Sequence, residues 1–218
     1  MSFTGFQIED FQTFHIEGLV PRMQAIRTRI QPKFRAISDQ VLETLAIHCG
    51  NDMFLHIAQH ARRKTNPPID TWMAIAASKR GYKMLPHFQV GLFDDHVFIW
   101  LALIYELPNK SLIANRYIDH MQEIKKMLPA DYCMSSDHMK KQAHTVSEMR
   151  ESDYLHMFQR FAQVKKAELL IGRHFKATDP IVACAEPFIQ QITETFLTLL
   201  PLYQLAHHPT HQMEQVHA

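Results

Sequence analysis

Between Pro21 and His48 the apolar residues Met23, Ile26, Ile30, Phe34, Ile37, Val41 and Leu45 recur at steps of three and four, which is the repeat of one helix face. A long amphipathic helix is predicted there. Pro21 suits its first turn, whereas Pro32 lacks the N–H for an interior bond and should kink the helix or split it. Cys49-Gly50-Asn51-Asp52 then ends it. Four runs rich in β-branched and aromatic residues follow, over 53–61, 71–78, 87–93 and 96–105, punctuated by Asn66-Pro67-Pro68 and Lys79-Arg80-Gly81. They read as strands. Asp94-Asp95 has turn-forming residues and the length of a tight hairpin, so the last two runs should pair antiparallel.

A helix is predicted over 110–128, with Ile113, Tyr117, Met121, Ile124 and Leu128 on one side and Pro129 as its stop. A short strand at 132–135 and a polar, weakly periodic stretch at 142–152 come next. Tyr154, Met157, Phe158, Phe161 and Ala162 mark another helix, and 167–175 another strand. The final helix should open with Asp179 as N-cap and Pro180 at the first helical position, turning Ile181, Cys184, Phe188, Ile192, Phe196, Leu199 and Tyr203 inward. Strands clustered between helices predict an α+β fold: a single mixed, mostly antiparallel sheet of five to six strands packed against long N- and C-terminal helices. No linker-like change of composition divides the chain, so the expectation is a single domain over 1–206 and a His-rich, frayed C-terminal tail over 207–218.

Composition excludes several classes. With 218 residues, 46% of them hydrophobic, the chain can bury a core without disulfides or a structural metal. The longest apolar run, 97–105, is half of the ~20 residues a membrane span needs, and the N-terminus has no signal-peptide pattern. A cytoplasmic protein with no membrane partner is expected. Cys49, Cys133 and Cys184 form no CxxC pair, so they read as reduced, mostly buried thiols. There is no GxGxxG, P-loop or GxSxG, and no cofactor is implied. No Cys/His set has zinc-ligand spacing, so no metal is expected. His56 and His60 are four residues apart; on a strand that is about 13 Å, too far to share an ion.

A resemblance rests on Phe3-Thr4-Gly5-Phe6, Pro21-Arg22-Met23, His60-Ala61-Arg62-Arg63, Asn66-Pro67-Pro68, Asp70-Thr71-Trp72, Lys79-Arg80-Gly81-Tyr82-Lys83, Leu85-Pro86-His87-Phe88-Gln89 and Ala102-Leu103-Ile104-Tyr105-Glu106. Together these resemble the YktB-like family of uncharacterised bacterial proteins, densely over residues 3–110 and more sparsely through Lys166-Ala167-Glu168-Leu169-Leu170 and the last helix. The resemblance implies a single-domain α+β fold in the bacterial cytoplasm. It carries no activity, ligand or catalytic residue with it.

Charge is where chemistry first shows. The whole chain carries 23 Lys and Arg against 22 Asp and Glu, but between His56 and His87 six basic residues, Arg62, Arg63, Lys64, Lys79, Arg80 and Lys83, face Asp70 alone. Arg22, Arg27, Arg29, Lys33 and Arg35 add a basic side to the first helix. Guanidinium forks match phosphate or carboxylate geometry, so the strand-end loops are candidates for anion binding, through Arg62, Arg63, Lys79, Arg80, Lys83 and His87; the alternative is an ordinary solvated pair of loops. Strand alternation puts His56 and His60 on one face, and His87 and Gln89 on one face of their own strand. If these faces coincide, a polar sheet face results, with Trp72 or Tyr82 ready to stack on a ligand ring. The expected partner is a phosphorylated or other anionic small molecule, bound more tightly as the histidines protonate near pH ~6.5. Two rivals use the same residues: a nucleic-acid-binding module, and an enzyme with His60 or His87 as general acid/base. Whether the protein is an enzyme, and its oligomeric state, are left open by the sequence.

Overall fold

A computed structural model describes residues 2–207. Its centre is a seven-stranded sheet ordered β1-β2-β3-β4-β7-β5-β6, in which every neighbouring pair is antiparallel. The strands are β1 (Phe54–Ile57), β2 (Thr71–Ala76), β3 (His87–Leu92), β4 (His96–Leu103), β5 (Cys133–Ser135), β6 (His144–Thr145) and β7 (Leu169–Lys176). The expected α+β class is present; the sheet has one strand more than expected and no parallel pair. The extra strand, β6, is two residues long and lies in the polar stretch that shows no alternation. β3 and β4 form the expected hairpin, with His87 opposite Ala102 and Leu92 opposite Val97.

One face of this sheet is covered by helices. Leu19–Ala25 (α2), a π-helical turn Ile26–Ile30 and Gln31–Cys49 (α3) run on without a gap. Pro32 sits in the first turn of α3, where no N–H is needed, and the wider π turn before it absorbs the missing bond. Gly50, at φ +71°, closes α3 by donating its N–H to the carbonyls of Ala46 and Ile47. A short α1 (Ile8–Gln12) precedes this rod, unseen in the periodicity because five residues carry too few turns.

Several boundaries differ from expectation, among them the strand expected over 53–61, which is only Phe54–Ile57. The 110–128 helix divides at His120 into α4 (Lys110–Asp119) and α5 (Met121–Met127). Asp179 does cap, accepting from the Ile181 N–H at 3.1 Å, but what it caps is a 3-10 turn, Pro180–Ala183; the long α7 starts at Ala185 and runs to His207. His207 is therefore helical, and residues 208–218 of the expected tail lie outside the described residues. α6 spans Glu151–Gln163. Among the thiols, all three are free, but Cys184 is exposed rather than buried.

The helix-covered face is built from large side chains: Met73 and Ile75, Phe88 and Val90, Ile99 and Leu101, and Leu169 and Ile171 from successive strands, packed against Phe34, Ile37, Phe188, Phe196 and Tyr203. Phe88 stacks between Phe196 at 4.9 Å and Tyr203 at 5.0 Å. No described helix is long and apolar enough to cross a membrane.

Candidate functional site

Alternation turns the remaining strand residues to the opposite face, and there no helix covers them among the described residues. Its floor combines small residues at Ala74, Ala76, Gly91, Ala102 and Gly172 with a second buried apolar cluster of Phe93, Phe98, Trp100 and Leu170. A Cβ at Gly91 would stand 2.2 Å from the Phe98 ring, so the close approach of ring and backbone requires glycine there. Three loops cross this floor: 58–70 after β1, 77–86 after β2 and 136–143 after β5. The last is tied down by Lys141, which pairs with Asp94, and by His138, whose N–H and Nδ1–H both donate to Glu168 Oε2, at 2.9 and 2.6 Å.

The register β1-β2-β3 brings His56, His87 and Gln89 onto this one face. His60 arrives by another route. β1 ends at Ile57, and His60 stands beyond it with φ +49°, a left-handed conformation rare outside glycine. Its Nε2 lies 3.2 Å from Thr71 Oγ1 and its ring meets the Trp72 ring at 5.6 Å. Trp72 is the hub. Its Nε1–H donates to Tyr82 OH at 3.1 Å, its ring lies 5.9 Å from that of His138, and Tyr82 in turn touches His56 (5.4 Å) and His87 (4.8 Å). The two aromatic rings expected to stack on a ligand are thus part of one connected cluster.

His87 is 0% exposed, with Nδ1–H donating to the Leu85 carbonyl at 2.7 Å and Nε2 accepting from the Gln89 amide at 2.8 Å. Only the neutral ring can fill both roles. Burial lowers its pKa to about 4. Burial, with the charge of Arg63, lowers His60 to about 4 as well. Neither ring gains a proton between pH 8 and 6, so the expected tightening of anion binding from these two histidines does not arise.

The basic residues divide. Arg80 and Lys83 line a cavity of about 830 Å³ at the free edge of β1, together with Leu55, His56, Ile57, Tyr82 and Met84. His56 is fixed in its wall by donating Nε2–H to the Ser78 carbonyl at 2.8 Å. Lys79 belongs to the same loop but does not line the cavity. Arg62 and Arg63 lie in the 58–70 loop, away from it. Arg63 is committed to its own turn, contacting the Asn66 and Pro67 carbonyls at 3.4 Å each. On the first helix, Arg22 holds the carbonyls of Ile16 and Pro68, Arg29 that of Glu9, and Lys33 the carboxylate of Asp10 at 2.5 Å.

Two acids of this face, Asp70 and Glu168, are not among the site residues expected from the sequence. Asp70 is 1% exposed and neither carboxylate oxygen has a hydrogen-bond partner on another described residue. Burial raises its pKa to about 6 against the opposing charges of His138 and Arg63. Glu168 is 3% exposed. Burial pulls the His138 pKa down, but the Glu168 hydrogen bond and the charges of Glu168, Asp70 and Asp137 outweigh it, and the net shift is upward. Glu106, which follows an apolar strand, is part-exposed and pairs with Lys83 at 3.4 Å. The His138–Glu168 pair spans 30 residues, and no local spacing announces it.

Comparison with known proteins gives the family. Residues 6–203 match the family described as Domain of unknown function (DUF1054). The UPF0637 protein of Oceanobacillus iheyensis is 57% identical over 202 residues, covering 93% of this chain and 96% of its own. That of Shouchella clausii is 53% identical over 206 residues, covering 94% and 96%, and one from Bacillus cereus is 43% identical over 205 residues, covering 94% and 99%. With nearly the whole of each chain aligned, the protein belongs to this DUF1054 family, an uncharacterised family of unknown function with bacterial members, as the motif resemblance implied.

Proposed function

We propose that the cavity at the β1 edge binds a small anionic molecule with an apolar or aromatic body. One observation carries this reading: the residues lining the cavity include Arg80 and Lys83 and no carboxylate. Leu55, Ile57, Met84 and the ring of Tyr82 offer the apolar wall, so a phosphate or carboxylate would meet the cations while its substituent lies against that wall. Arg80 has no ion pair among the described residues. Lys83 shares its charge with Glu106 and contributes less.

A continuous basic track suited to nucleic acid draws less support. Three of the five cations on the first helix are spent on internal carbonyls and Asp10, Arg22 among them reaching the Pro68 carbonyl of the 58–70 loop.

Titration calorimetry with phenyl phosphate and with sulfate tests the reading on the wild type, on Arg80→Ala/Lys83→Ala and on Arg62→Ala/Arg63→Ala. Loss of binding only in the first variant is the expected result. Loss only in the second would move the site to the 58–70 loop, and no binding by the wild type would end the proposal. Oligonucleotide binding with a log K against log salt slope steeper than about −3 would favour the nucleic-acid reading instead.

A further inference from the structure

We propose that Asp137, His138 and Glu168 form a site for one divalent metal cation of the zinc and manganese class. The three residues each offer a ligand atom, and those atoms lie within 4.8 Å of one another. One imidazole nitrogen and two carboxylates, without sulfur, suit Zn²⁺ or Mn²⁺ rather than a soft ion. Each group has capacity to spare. Asp137 Oδ1 accepts the Met139 N–H at 3.0 Å, while Oδ2 has only Lys140 Nζ at 3.8 Å. Glu168 receives both His138 donors on Oε2, and Oε1 has only the long 3.5 Å contact from the Tyr105 N–H. On binding, His138 Nδ1 loses its proton to solvent and the Nδ1–Glu168 hydrogen bond gives way to bonds from both groups to the ion.

A second observation points to the same place. Asp70, which immediately precedes β2, is almost fully buried, and neither of its oxygens has a hydrogen-bond partner on another described residue. Its charge and that of His138 act on each other. A buried carboxylate without partners is costly, and a doubly charged ion at the neighbouring cluster would offset that cost. Three protein ligands leave coordination positions for water or a bound molecule, the pattern of catalytic rather than structural zinc sites.

This reverses the expectation of no metal. Two ligands are adjacent in sequence and the third is 30 residues on, so no short local motif announces the set. None of the three lines the β1-edge cavity, and the inference does not depend on the anion site.

The test is equilibrium dialysis of the full chain, without an affinity tag, against Zn²⁺ and separately Mn²⁺, with the retained metal measured by atomic emission. Wild type, Asp137→Asn and His138→Ala are compared; His207, His208, His211 and His217 are present in all three and supply a common background. The wild type should retain one equivalent more than either variant, with at least a tenfold loss of affinity in Asp137→Asn. Asp137 is only half-buried, so that variant keeps the comparison valid even if His138→Ala melts early. Equal retention by wild type and Asp137→Asn would overturn the site.

Discussion

The two faces of the sheet are buried by different means. Under the helices, large apolar side chains meet one another, and burial stabilises through area and packing. Under the loops, a smaller apolar cluster that includes Phe98, Trp100 and Leu170 shares the face with small residues and with the buried polar groups His87, Gln89, Asp70 and Glu168. For those polar groups burial costs free energy unless a partner is found. His87 and Glu168 have partners, whereas Asp70 has none on another described residue. A fold that needed only stability would place an apolar residue at Asp70, so the loop-covered face carries a burial cost that the helix-covered face does not.

The largest expected effect lies on the helix-covered face. Phe88→Ala empties the space between Phe196 and Tyr203 and should destabilise by about 3–5 kcal/mol, read from urea midpoints. Survival of the variant within ~1 kcal/mol of wild type would mean that this face is not the main core.

Asp70→Asn should act in the opposite direction. Below about pH 4 the carboxyl is protonated in folded and unfolded states alike, and its burial costs nothing extra. Between pH 4 and about 6 the unfolded chain releases the proton while the folded chain keeps it, so stability falls as pH rises, to a penalty on the order of 3 kcal/mol above pH 6. The variant should therefore be more stable at pH 7 by up to that amount, and the gain should vanish near pH 4. His60 and His87 slope the other way: with folded pKa values of about 4, their stabilisation is complete above pH ~6.5 and is lost as pH falls toward 4. Removing Asp70 should leave that acid-side loss unopposed, visible as a steeper decline of the urea midpoint from pH 6.5 to 4.5. A destabilised Asp70→Asn at pH 7 would show that the carboxylate has a structural partner.

Gly91→Ala probes the floor. Its new methyl group must displace the Phe98 ring or the Thr71 carbonyl, at 2.2 and 2.7 Å, and a loss of about 1–3 kcal/mol is expected by thermal melt. The smallest effect belongs to the exposed loop: Lys79→Ala/Arg80→Ala should change stability by less than ~0.5 kcal/mol. A larger loss would mean that these cations hold the loop in place.

Much of this contrast is legible in the amino-acid order itself. Period-two alternation in β2, β3 and β4 separates Met73, Ile75, Phe88 and Val90 from Trp72, His87 and Gln89, and strand pairing then brings the polar set together without further information. Pro32 and Asp179 announce a helix interruption and a cap because their effects are local. Other features depend on tertiary contact. The left-handed backbone of His60 cuts β1 short, and the two-residue β6 exists only because β5 is beside it. The acids Asp70 and Glu168 acquire their character from burial that no neighbouring residue encodes. For the same reason the basic residues form one set in sequence, although the fold sends Arg80 and Lys83 to the β1 edge and Arg62 and Arg63 to another loop.

The most direct measurement is a crystal structure of the full chain grown with phenyl phosphate. The phosphate should lie between Arg80 and Lys83, with the ring against Leu55, Ile57 and Tyr82. Phosphate bound instead at Arg62 and Arg63, or on the helix-covered side, would contradict it.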